Sequence, residues 1–271
     1  MSTGPETFWQ EVKKSDEIRQ AEDWLTRKSR SHPHDRRLHL LDRRTVEHSR
    51  RVAAASAILC FEAGLSPQIA RAMASGALIH DSGKRHHIVF DGDRPHVSMP
   101  RHAVKFNIND PFTRYSQRRH PHDSWKDGLH VWPEAANVRN STARFARLFA
   151  LLHHTNFQAA ERNYPSKQAL DTYVGAGDVS ANELAVVSKW APILTLSDHV
   201  DVLTHPNDRP YVMEQVVAAG IDPDDRDALM KRAMTLAKAE LVTPERVIPL
   251  HRAASALTEH QQLIDAYGVA A

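Results

Sequence analysis

With 271 residues, 25% of them charged and a formal net charge of +2, the chain is long enough to bury a full core and too balanced to act as a polycation. Mean hydropathy is −0.50, and no stretch approaches the roughly 18 apolar residues of a membrane helix, which argues against both a disordered chain and a membrane-spanning one. The one departure from ordinary composition is 18 His, the side chain most often used to bind metals.

Residues 6–30 read as one amphipathic helix, with Phe8, Trp9, Val12, Ile18, Ala21, Trp24 and Leu25 near one face. The N-terminus shows no basic segment followed by an apolar one, so a cytoplasmic protein is expected. Residues 27–44 are rich in Arg and His and broken by Pro33, which reads as a solvated basic connector or, alternatively, a patch for an anionic ligand. The expected organisation is an N-terminal extension over 1–44, a main domain over 45–225, and C-terminal helices over 226–271 packed on that domain.

Residues 45–63 form a strong helix, with Thr45 as N-cap and Gly64 as its stop. His48, Val52, Ala55 and Leu59 share one stripe of it, and a lone His there is more often a satisfied core residue than a ligand. Cys60, the single cysteine, lies in the same apolar run and fits a buried thiol in a reducing compartment. Ser66-Pro67 opens the next helix, which runs to His80-Asp81.

Two neighbouring ligands can grip one ion only if the backbone turns between them, and Gly83, free to adopt φ > 0, is expected to make that turn. The two oxygens of Asp81 can serve one ion or bridge two. Lys84 places a cation where a phosphate oxygen would sit.

Residues 85–141 are the least regular part, with a turn at Asp91-Gly92-Asp93-Arg94-Pro95 and His120 in a loop segment, Arg118-Arg119-His120-Pro121. So long a loop is improbable in a compact domain, so short helices or a lid are expected to interrupt it. Helix returns over 142–154 and ends in His153-His154; 155–181 is again irregular; 182–204 is a long helix carrying Asp198. From Tyr211 three further helices are expected, divided around Asp222-Pro223 and Thr243-Pro244. No five-residue alternating β pattern stands out, and the fold is expected to be all-α.

His48, His80, Asp81, His120, His153, His154 and Asp198 then supply five imidazoles and two carboxylates. Each alone is better explained as structural, but together they exceed one tetrahedral zinc and suit two octahedral ions sharing Asp81. A carboxylate on the apolar face that ends in Asp198 costs several kcal/mol unless it is paired or metal-bound. Two ions about 3.5–4 Å apart can clamp a phosphodiester for in-line attack.

Glu47-His48-Ser49-Arg50-Arg51-Val52-Ala53, His80-Asp81-Ser82-Gly83-Lys84, His153-His154 and Asp198 resemble the HD-domain metal-dependent phosphohydrolases. Arg118-Arg119-His120-Pro121, Met99-Pro100, and the run from Ser197 through Asp208-Arg209-Pro210-Tyr211 are similar to the HD-GYP branch, the cyclic-di-GMP phosphodiesterases. The resemblance covers residues 45 to about 225. It implies an HD-type helical bundle with a two-metal or three-metal centre of iron or manganese. One ion would be held by His48, His80, Asp81 and Asp198, the other by His120, His153 and His154, with Asp81 bridging and Lys84 on the scissile phosphate. Arg209 and Tyr164 are candidates for holding the substrate, a cyclic dinucleotide or related nucleotide rather than a nucleic acid.

The departures from that branch are specific. His153-His154 is followed by Thr155-Asn156 where the family has a carboxylate, and only Asn163-Tyr164-Pro165 remains of its Gly-Tyr-Pro triplet. Arg44 stands one turn before His48 where three-metal members have Glu, which argues for two ions.

Other readings share the ligand set. HD-type dinuclear iron centres also support oxygenases. An HD-type nuclease would draw on Arg114, Tyr115, Arg118 and Arg119. A receptor without turnover would explain the altered loop, although binding alone requires fewer buried ligands. His199 is a candidate hydrogen-bond partner for a ligand, and residues 1–44 a candidate site cover or homodimer contact.

Overall fold

In the computed structural model, described over residues 4–30, 43–84, 87–91, 94–98, 111–154, 176–240 and 247–269, the core gathers round one Ala-rich helix, α3 (Arg43–Glu62). Every residue of α3 from Val52 to Cys60 is buried. Its alanines keep the surface shallow, so helices pack on it from several sides: α4 (Pro67–Ile79), the N-terminal α1 (Pro5–Lys13), and from the far end of the chain α7 (Ala181–Thr204), α10 (Leu250–Glu259) and α11 (Gln261–Val269). The remaining helices are α2 (Asp16–Arg30), α5 (Pro111–Val131), α6 (Thr142–Leu152), α8 (Pro210–Ala218) and α9 (Arg226–Glu240). The fold is all-α. A short antiparallel hairpin of β1 (His87–Asp91) and β2 (Arg94–Ser98), pairing Ile88 with Val97, is the one sheet among the described residues. It flanks the expected Asp91–Pro95 turn, whose Gly92 and Asp93 lie outside the described residues, and five-residue strands with Pro95 inside one of them leave no alternating signature.

The expected helix over 6–30 is two helices, α1 and α2, separated at Lys14-Ser15. The seven apolar residues that defined its face are nonetheless all buried. Ser15 accepts from the Ile18 amide at 3.4 Å and restarts the helix, so the break changes direction without losing the stripe. Thr45 is not the cap of α3, which begins two residues earlier at Arg43. Gly64 ends that helix at φ 69°, and Ser66 caps α4 by accepting from the Ile69 amide. Beyond Tyr211 the described residues form four helices rather than three, since α10 and α11 divide at His260. Thr243-Pro244 and Met99-Pro100 lie outside the described residues.

Two close crossings aim the helix ends at one place. A Cβ on Gly76 of α4 would lie 2.5 Å from the Ala146 carbonyl oxygen of α6, so these backbones touch and their C-terminal ends converge. α6 is joined in turn to α7 through Glu183. This buried carboxylate closes the capping box with Ser180 and takes the Arg144 guanidinium at 2.6 Å. Among the described residues no helix is long and apolar enough to cross a membrane.

Candidate metal centre

α4 and α6 end in the same way. His80 and His153 are the C-cap residues, and each Nδ1 lies 2.6 Å from the carbonyl oxygen three residues back, Ala77 in one case and Ala150 in the other. A carbonyl only accepts, so Nδ1 carries the proton in both rings and each Nε2 presents a lone pair. The convergence of α4 and α6 brings the rings together, centroids 4.9 Å apart and nearly perpendicular.

α3 and α7 complete one side. His48 Nδ1 lies 2.7 Å from Asp201 Oδ2, which places its proton there and turns Nε2 inward. That Nε2 stands 3.1 Å from Asp198 Oδ1 and 3.6 Å from Asp81 Oδ2. With the proton on Nδ1 the 3.1 Å approach sets a lone pair against a carboxylate oxygen, and His48 Nε2, His80 Nε2 and Asp81 Oδ1 are buried without a hydrogen bond. Thr195, one turn before Asp198 on α7, donates to the His153 carbonyl oxygen at 2.6 Å and locks α7 to the end of α6.

The other side is made of three imidazoles. His120 Nε2 lies 3.1 Å from both His153 Nε2 and His154 Nε2, and 3.4 Å from Asp81 Oδ1. His120 therefore sits on α5, not in a loop. Its position depends on Gly83, whose φ is not in the left-handed region. The expected φ > 0 turn is absent, and the glycine serves a different need. A Cβ there would fall 2.3 Å from the His120 carbonyl oxygen and 2.7 Å from the Ser124 amide nitrogen, so only glycine lets α5 approach. The Ser124 hydroxyl fastens the contact, donating to the His80 carbonyl oxygen at 2.7 Å and accepting from the Gly83 amide at 2.9 Å. Arg147 of α6 holds the next turns of α5, donating to the Trp125 carbonyl oxygen at 2.9 Å with its guanidinium over the Trp125 ring.

The electrostatics suit a bound cation. Burial pushes His120 and His153 well below the ordinary imidazole range, reinforced by the neighbouring rings. Burial likewise brings His154 down to about 4. All three offer lone pairs at neutral pH. On the carboxylate side burial opposes an imidazolium at His80, yet Asp81 and Asp198 outweigh it and raise its pKa. Burial also opposes ionisation of Asp81, and Lys84 with the flanking imidazoles overrides it, holding that carboxyl well below its usual range. Lone pairs and negative charge converge on a protected space, which is what N/O metal ligation requires. Three sets of side chains, His48–His80–Asp198, His80–Asp81–His153 and His120–His153–His154, each have ligand atoms within 4.8 Å of one another. These buried clusters can hold metal ions.

No known protein family, curated protein or solved structure matches the chain. The site therefore has to be read from its own chemistry.

The structure brings together His48, His80, Asp81, His120, His153, His154 and Asp198. Lys84, with 19% of its side chain exposed, pairs with Asp81 Oδ2 at the rim. Arg209 is half-buried at the N-cap of α8, directly after Asp208. Tyr164 lies outside the described residues. Arg44 donates to the Asp208 carbonyl oxygen at 3.4 Å.

Asp201 is the functional residue that motif reading passed over. It orients His48, accepts from Arg51 Nε at 2.7 Å, and lies 3.2 Å from His205 Nδ1; Arg51 also reaches Asp208 at 2.6 Å. Its signal was available, since Asp201 is a carboxylate one turn beyond Asp198 on the same buried face of α7.

Proposed function

We propose that the chain is a metal-dependent phosphohydrolase that cleaves a phosphodiester of a cyclic dinucleotide or related nucleotide with a pair of divalent ions, iron or manganese. The observation that carries this reading is the meeting of His120, His153 and His154 Nε2 at 3.1 Å beside two buried carboxylates, with one ammonium at the rim. His48, His80 and Asp198 would hold one ion and His120, His153 and His154 the other, with Asp81 offering an oxygen to each side. When bound, such a pair makes water a nucleophile at neutral pH and neutralises charge developing on phosphoryl oxygens.

The protein's own groups divide the remaining work. Lys84, partly exposed beside Asp81, binds a non-bridging phosphate oxygen through its ammonium, which favours an anionic substrate. Asp201 and the carbonyls of Ala77 and Ala150 keep the protons of His48, His80 and His153 on Nδ1, so that the ligand lone pairs stay inward. Full burial of His80, His120 and His153 keeps bulk water from competing for them. Arg209 and Tyr164 are assigned to the second phosphate and a base.

The test is hydrolysis of bis(p-nitrophenyl) phosphate and of cyclic di-GMP by protein purified anaerobically and loaded with Fe(II) or Mn(II). Expected are metal-dependent turnover of a phosphodiester and its loss on chelation. Reductant-dependent oxygen uptake without phosphodiester cleavage would replace the hydrolase with an oxygenase. Tight nucleotide binding without cleavage by the metal-replete protein would make it a receptor.

A further inference from the structure

The two sides of the cluster differ in kind. His48 and His80 face Asp198, a carboxylate whose ion pairs among the described residues are with those two imidazoles, at 3.1 and 3.6 Å, and with no Lys or Arg. It is buried, so its charge favours a cation beside it, and among the described residues it has no Lys or Arg partner. The opposite side has three imidazoles and, among the described residues, no carboxylate of its own, and it borrows Asp81 Oδ1, 3.4 Å from His120 Nε2. Asp81 is already partly answered by Lys84.

We propose that the two sides take divalent ions unequally and in a fixed order. The His48–His80–Asp198 side fills first and tightly, and the His120–His153–His154 side fills second and reversibly. The supply of labile metal then switches the protein between a one-ion resting form and a two-ion competent form. This inference rests on the metal-centre reading above and adds a regulation to it.

Three physical reasons set the order. A divalent ion gains Coulomb energy from an anionic ligand that a neutral imidazole does not give. Oxygen ligands suit manganese and the harder ions, whereas an all-imidazole set is selective for zinc, copper, iron or nickel. His80 and His153, one on each side, are both held by a backbone carbonyl, but the first side also has His48, locked in its ligating tautomer by a carboxylate, Asp201, itself fixed by Arg51. The second side also depends on one approach for His120, through Gly83 and Ser124, whereas the first is built on α3, α4 and α7 inside the main core.

The experiment is titration of chelator-stripped full-length protein with Mn(II), followed by calorimetry and electron paramagnetic resonance. The expected course is one ion per chain with an isolated six-line signal, then a second ion at least about tenfold weaker that converts the signal to an exchange-coupled one. His154→Ala keeps the first event and loses the second. Asp198→Asn loses the tight event, with an affinity about 100-fold lower, and circular dichroism establishes that both variants are folded. Two ions binding with equal affinity, a coupled signal from the first addition, or loss of the tight event in His154→Ala would each overturn the order while leaving the metal centre standing. No Mn(II) binding by the wild-type chain would remove both.

Discussion

Replacing Gly83 by Ala isolates the contact that delivers His120. The added Cβ would lie 2.3 Å from the His120 carbonyl oxygen, 2.7 Å from the Ser124 amide nitrogen and 2.8 Å from Asp123 Cβ. Ordinary contacts need about 3.5 Å, so α5 must withdraw by roughly 1 Å. The first two obstacles are backbone atoms that no rotamer change can move, so the cost sits in the overpacking range of about 1–3 kcal/mol. For a chain of this size that lowers the melting temperature by roughly 2–12 °C. The same withdrawal breaks the 2.9 Å hydrogen bond from the Gly83 amide to Ser124 and draws His120 away from rings now 3.1 Å distant. The variant should therefore lose the second metal ion as well as stability, read by elemental analysis and a thermal melt. Gly64→Ala is the control. Its φ of 69° makes it strained too, but nothing lies within 4 Å of the new Cβ, so stability should fall by about 1 kcal/mol with the metal content unchanged. A Gly83→Ala protein with the wild-type melting point and metal complement would refute the account of how α5 is held.

Two further outcomes are expected. Lys84→Met keeps the aliphatic stem but removes the ammonium from Asp81, and should lower kcat/KM for a phosphodiester by about 10²-fold while metal content stays the same; loss of metal instead would show that Lys84 serves only to hold Asp81. In the metal-free chain, thermal stability should peak near pH 6.5. Below it the unfolded chain protonates His120, His153 and His154 while the folded chain resists, with His154 held at about 4, so stability falls between pH 6.5 and 4. Above it His205 acts with the opposite sign. Burial disfavours its charge, but Asp201 and Asp265 raise it to about 9, so its contribution is full below the unfolded value and lost as pH rises through 9. Melts of chelator-treated protein from pH 4 to 9 read both limbs, and a flat acid limb would count against the buried, neutral imidazoles.

The parts of this molecule legible in its sequence are those where a polar group interrupts an apolar pattern. His48 within a buried stripe, His80 and His153 at the ends of apolar helices, and Asp198 closing an apolar run each pose a desolvation cost that something must meet. Such a cost is visible one helix at a time, because burial follows from periodicity alone. His120 could not be placed in this way. Its helix contains Pro121, and charged and polar residues fall on every side of it, so no 3.6-residue apolar pattern marks it. Gly83 shows the same limit from the other direction. A glycine beside a ligand pair suggests a turn, but whether it is needed for its φ or for the room it leaves depends on a neighbour 37 positions away in the chain, at His120. Asp201 is the intermediate case, since its burial followed from Asp198 while its purpose followed only from His48 and Arg51 lying across the interface. Periodicity thus identifies the ligands that lie along core helices. The groups that orient them, and the one ligand brought in by close approach, are properties of contacts between helices and become readable only when those contacts are in place.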